Sequence, residues 1–216
     1  MTMTTWKRNR TGSVLIAGAA AALMVGASAA PALAATTWTV KPGGTITAKS
    51  GTTTLKDTKT GQKLSCSSSA AKATLKKGSH LSGTGLGSIT AISFSNCTGP
   101  LKVPFTVKSS HLPWKLNAVS YSRSTGTTTG TITGIHATLT GTSCSAIVDG
   151  STGATKNNGM VHVTYGNKTH KLTVLASGGN LHIYNVKGCF GLIKSGDGSS
   201  FTATYTVSPA QTITSP

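Results

Sequence analysis

The four cysteines of this 216-residue chain stand in two matching pairs of signatures. Ser65-Cys66-Ser67 recurs as Ser143-Cys144-Ser145, and Cys97-Thr98-Gly99 recurs as Cys189-Phe190-Gly191. Four cysteines allow three connectivities. The order of the signatures, SCS and then CxG in each half, selects Cys66 with Cys97 and Cys144 with Cys189. A fold must therefore bring both pairs together, and each loop so closed is worth on the order of 3.5–4 kcal/mol in the chain-entropy model. A zinc centre is the competing use of four cysteines, but neither CxxC nor HxxxH accompanies them.

Disulfides need an oxidising compartment, and the start of the chain supplies a route to one. Lys7, Arg8 and Arg10 precede the apolar run "SVLIAGAAAALMVGASAAPALAA", which closes on Pro31-Ala32-Leu33-Ala34. A basic start, an apolar middle and small residues at Ala32 and Ala34 are the three parts of a secretory signal. A run of this length also spans a bilayer, but Ala and Gly dominate it and Pro31 interrupts it, which favours cleavage after Ala34. Residues 1–34 thus read as a signal peptide and 35–216 as a single secreted β domain. Removing 34 of 216 residues leaves 182, enough for a substantial core. The expected location is extracellular, free or held at the cell wall, with no membrane span in the mature chain.

Thr (38), Ser (26) and Gly (26) make up 90 of the 216 residues. That mixture disfavours helices and suits short strands and turns. Leu101, Val103, Phe105 and Val107 alternate with polar residues, as do Leu112, Trp114, Leu116 and Ala118, and again Phe201, Ala203, Tyr205 and Val207. Period two places one set of side chains on a core face. Further strands are predicted over 38–41, 45–48, 52–56, 70–76, 89–96, 131–140, 160–165, 170–175 and 181–186. The class is all-β: an antiparallel sandwich or barrel of about a dozen short strands, with the sandwich favoured. The repeated cysteine signatures hint at two related halves meeting near 125–130. In "MVHVTYGNKTHKLTVL", Gly166-Asn167 suits a two-residue turn, which would set Tyr165 opposite Lys168 and Val163 opposite His170.

Removal of the leader takes three of 20 cationic residues and none of the three acids, so the mature chain carries 17 cations against Asp57, Asp149 and Asp197, a net charge of about +14. Such a protein is drawn to polyanions in the envelope or matrix; spaced Lys on strand faces also serves solubility. Lys72, Lys76, Lys77 and His80 form the densest patch and are the anion-binding candidates. Specific nucleic-acid recognition is disfavoured, because Arg123 is the single Arg of the mature chain.

No catalytic residue, metal site or cofactor is assigned. Glycoside hydrolysis needs two suitably spaced carboxylates, and three Asp with no Glu leave little material for it. A Ser-His-Asp triad depends on spatial convergence; there is no GxSxG elbow, and Asp197 in "KSGDGSS" is the acid to examine first, although a turn role suits it better. Trp114 alternates with Leu112 and Leu116 and is read as core. Trp38, near the mature start, is the candidate exposed stacking residue, and Thr127, Thr129, Thr131 and Thr133 form a Thr-x-Thr ladder.

At "SCSSS", "SITAISFSNCTGP", "LPWKLN", "GTITGIHATLTGTSC", "NLHIYNVKGCFGLIKSGD" and "YTVSPAQTITSP" the chain resembles a group of small secreted actinobacterial proteins. The resemblance carries over no catalytic residues and implies an exported product of a Gram-positive bacterium; this chain is richer in Lys. The functional expectation is a non-enzymatic β protein, secreted or at the cell surface, that binds anionic envelope or matrix polymers. The alternative is a secreted protein-binding module or enzyme inhibitor that presents the stapled segments 98–101 and 190–198. A serine hydrolase ranks third.

Overall fold

The computed structural model describes residues 37–216. The signal peptide expected over 1–34 lies outside the described residues. Sixteen strands succeed one another: β1 (Thr37–Lys41), β2 (Gly44–Ser50), β3 (Thr53–Asp57), β4 (Lys63–Leu75), β5 (Gly78–Ser82), β6 (Gly87–Thr98), β7 (Pro104–Ser109), β8 (Trp114–Ser122), β9 (Thr127–Ile135), β10 (Ala137–Gly141), β11 (Ser145–Gly150), β12 (Gly159–Gly166), β13 (Lys171–Val174), β14 (Leu181–Lys187), β15 (Ser199–Ser208) and β16 (Thr212–Thr214). The fold is all-β, and among the described residues no helix is long and apolar enough to cross a membrane.

Eight of these strands close a ring. β6 pairs with β8, β8 with β9, β9 with β12, β12 with β13, β13 with β15, β15 with β2, β2 with β4, and β4 returns to β6, every pairing antiparallel. The favoured sandwich is therefore corrected to a closed barrel with additional strands. Alternation specifies which residues face inward in both architectures, and only the partner of the first and last strand distinguishes them.

Three long strands make room for the additions. β4, β6 and β15 run 13, 12 and 10 residues and extend beyond the ring at one end. There β7 replaces β8 as the partner of β6, through Cys97 opposite Phe105, and continues to β10, β11 and β14. A bridge between His182 and Gly198 carries this extension back to the foot of β15. β2 and β3 act as one strand broken at Gly51-Thr52, since both lie between β4 and β15, β2 beside Ser69 to Leu75 and β3 beside Lys63 to Cys66.

One apolar core runs through barrel and extension, including Ile46, Leu64, Trp114, Leu139, Val161 and Tyr205. The other end of the ring is covered by a separate sheet of order β16-β1-β5. Trp38 on β1 is 1% exposed. The expectation that it stands free for stacking is thus corrected: β1 is a capping strand, not a loose terminus. Trp114 is buried, as its alternation predicts.

Two predicted segments also change. The run 131–140 is two strands, parted at His136. The β12–β13 hairpin pairs Tyr165 with Leu172 and Val163 with Val174, so its loop is the four residues 167–170 and the expected register is off by four. His170 adopts φ +53° and donates its N–H to the Gly166 carbonyl at 2.8 Å. A slip of four preserves every inward face, which is why the burial pattern agrees despite the wrong partners.

Candidate functional site

The cysteines are the first functional expectation to be placed. Cys66 bonds Cys97 and Cys144 bonds Cys189, with no free cysteine. Cys66 and Cys97 are direct cross-strand neighbours on β4 and β6. Cys144 and Cys189 flank the pairing of Ser145 with Lys187 at the ends of β11 and β14. Phe105, opposite both Cys97 and Gly141, lies between the two bridges.

The two CxG signatures use glycine for different reasons. A Cβ at Gly99 would stand 2.5 Å from the Phe105 ring, so the first glycine exists for close approach. Gly191 has φ +73° and open space around it, so the second exists for its left-handed backbone.

The loops that follow the second cysteine of each bridge carry Leu101 and Phe190, 85% and 82% exposed. Both hold left-handed backbone angles, φ +57° and +52°. Both line one cavity of about 90 Å³, walled by Leu64, Phe105, Cys189, Leu192 and Ile193 and edged by Gln62 and Lys63. Asp57 also lines it. One oxygen of that carboxylate, Oδ1, accepts the N–H groups of Lys59 and Thr60 at 2.8 Å each. The other, Oδ2, is buried without a hydrogen-bond partner. Leu55, Leu64 and Leu139 separate this cavity from a second, wholly apolar one of about 120 Å³ in the barrel interior. The stapled segments singled out from sequence thus converge on one end of the molecule; the cavity beneath them, formed by strands distant in sequence, had no signal there.

All three carboxylates are inside the protein. Asp57, Asp149 and Asp197 are 2%, 0% and 4% exposed. Asp149 accepts hydrogen bonds from His136 Nδ1 (3.0 Å) and from the N–H groups of Gly150, Asn157 and Asn158. Because a carboxylate only accepts, Nδ1 of His136 carries the proton in this bond. Burial pushes the Asp149 carboxyl up, yet these four donors outweigh it and hold it below the usual Asp value. Asp197 accepts the Lys194 N–H at 2.7 Å, closing its own turn, and lies 3.7 Å from the Lys59 ammonium. The acid that meets an imidazole is therefore Asp149 and not Asp197. Among the described hydrogen bonds, a serine hydroxyl meets a histidine ring only between the neighbours Ser79 and His80.

With the acids inside, the outside is cationic. Every Lys of the described residues, and Arg123, is exposed. Lys72, Lys76, Lys77 and His80 are all exposed, Lys72 on the outer face of β4, Lys76 and Lys77 in the turn after it and His80 on β5. The Thr ladder lies on β9, where Thr131 and Thr133 accept from Asn117 Nδ2 and Thr129 bonds Ser120.

No family model matches the chain, and no curated protein or solved structure is similar to it.

Proposed function

We propose that this is a non-enzymatic, extracellular binding protein whose exterior engages anionic envelope or matrix polymers. The observation that carries this reading is the segregation of charge: all three side-chain carboxylates are buried, while every described Lys and Arg123 is exposed. A surface of one sign attracts polyanions by long-range field and by release of their counterions, without shaped pockets. Two disulfides suit an oxidising compartment, which supports the extracellular setting. The test is co-sedimentation of the mature protein with purified cell walls, before and after removal of anionic polymer. Retention is expected on intact walls and is expected to fall with added salt. Equal retention on stripped walls, or retention indifferent to salt, would overturn the reading.

The alternative, a protein-binding module or inhibitor, is favoured by a different observation: Leu101 and Phe190 stand exposed beside one cavity on disulfide-anchored loops. Rigid apolar anchors around a pocket are the features that concentrate binding energy at protein interfaces. A photo-activatable side chain at position 190 should cross-link one acidic secreted protein, identifiable by mass spectrometry, with lower yield in the L101S variant. Absence of any discrete product removes this reading and leaves the first intact.

A further inference from the structure

We propose that the stapled end of the molecule docks on an anionic lipid surface, with Leu101 and Phe190 entering the acyl boundary and the Lys residues around them meeting the headgroup phosphates. This rests on the reading of the exterior as polyanion-binding and gives a task to the two apolar tips, which that reading leaves in water. Leu101 and Phe190 are the most exposed large apolar side chains among the described residues. One follows β6 and the other β14, yet both line the same cavity, so they project from one end of the molecule. Cys97 and Cys189 anchor the two loops. Leu101, Lys102 and Phe190 hold left-handed backbone angles of +57°, +59° and +52°. Such angles are costly and no burial of Leu101, Lys102 or Phe190 offsets them. What they achieve is projection of the side chains away from the core.

Charge selects the occupant. Lys102 is next to Leu101, Lys63 lines the cavity, Lys187 precedes Phe190 on the same loop, and Lys194 follows Ile193 of the cavity wall; all four are exposed. The acids of this end do not offset them at the surface. Asp57 and Asp197 are buried, and among the described ion pairs only Lys59 meets one of them, at 3.7 Å. A soluble polyanion satisfies these cations but leaves both apolar tips in water. A protein partner needs two sockets, each matched to one tip, inside an acidic rim. An anionic bilayer supplies phosphates and, beneath them, hydrocarbon that conforms to any shape, and interfacial segments bury their apolar face to about 5–10 Å. Lys stems extend along the inserted side chains while the ammonium groups stay at phosphate level.

The test is flotation of the mature protein with vesicles of phosphatidylcholine, alone or mixed with phosphatidylglycerol, beside titration with soluble teichoic acid. Binding is expected on the mixed vesicles and is expected to be at least about tenfold weaker on phosphatidylcholine, since each Lys near an anionic surface contributes about fivefold. L101S/F190S, at two exposed positions, is expected to weaken vesicle binding at least about tenfold and to leave teichoic acid binding unchanged. In the mature F190W variant the new indole is the exposed one, because Trp38 and Trp114 are buried. Its emission is expected to shift to the blue on mixed vesicles and to be quenched by bromine on the acyl chains. Vesicle binding that L101S/F190S does not weaken, equal binding to both vesicle types, or F190W emission indifferent to brominated lipid overturns the proposal. Teichoic acid binding without vesicle binding leaves the polyanion reading standing and removes this one; absence of both removes both. A discrete cross-link from position 190 to an acidic protein, with F190W unquenched, assigns the tips to that partner instead.

Discussion

Leu101 and Phe190 combine two properties that a fold alone does not favour: large exposed apolar side chains and left-handed backbone angles. Such angles cost non-glycine residues on the order of 1–3 kcal/mol. L101G and F190G are therefore expected to leave stability unchanged or raise it by up to about 1 kcal/mol, measured by urea unfolding. A drop in stability would assign these side chains a structural role instead. At Asp149 the sign is opposite. Its carboxyl is held below the ordinary Asp value by the His136 ring and three backbone donors that outweigh burial. Its contribution is thus fully present above the unfolded pKa of about 3.9 and is lost as pH falls through the lower native value. D149N should cost about 2–4 kcal/mol at pH 6, and the gap to the parent should narrow at pH 2.5; a gap independent of pH would contradict the assignment.

Among the elements, strand faces were largely legible and strand partners were not; the exception is Leu101, expected on the core face with Val103, Phe105 and Val107 but 85% exposed in the turn before β7. The alternation of Val161, Val163 and Tyr165 specifies the inward face of β12, and all three are buried. Nothing local specifies that Tyr165 pairs with Leu172, four residues beyond the Lys168 that Gly166-Asn167 suggests. The reason is tertiary: Asn167, assigned to a tight turn by its type, instead uses its amide to bond both backbone groups of Ile213 on the last strand, each at 2.9 Å. N167A should cost about 1–3 kcal/mol and speed hydrogen exchange at Ile213 relative to the β4–β6 amides; equal acceleration everywhere would mean that β16 is not held locally. Trp38 was misplaced for a related reason: β1 is held in a sheet by β5 and β16, which have too few apolar residues to be recognised as strands, and that sheet sets Trp38 into the core. β11 was missed as well, although the disulfide partners on either side of it were paired correctly from their repeated signatures.

For the whole molecule, composition and cysteine pattern carried the class and the covalent framework. Barrel closure depended on β4 meeting β6, a contact that the Cys66–Cys97 pairing already implied, and on β2 meeting β15, for which no residue pattern gave a signal. Of the site, the two stapled loops were legible and their convergence over one cavity was not. Nor did the sequence distinguish a buried Asp from a surface one: all three acids read as turn residues, whereas Asp57 and Asp149 lie on β3 and β11 and Asp197 alone lies outside the strands, closing its turn, and all three side chains are buried. A uniformly cationic exterior makes the location of particular Lys residues secondary. K72Q/K76Q/K77Q and K56Q/K108Q/K171Q, both at exposed positions, should weaken polyanion binding equally; a much larger loss in the first would make Lys72, Lys76 and Lys77 a dedicated site. The most direct test of the segregated-charge account is the affinity of the mature protein for purified teichoic acid across salt concentrations. Log K is expected to fall linearly with log salt, with a slope of several units reduced by about two in either triple variant. A slope near zero would contradict it.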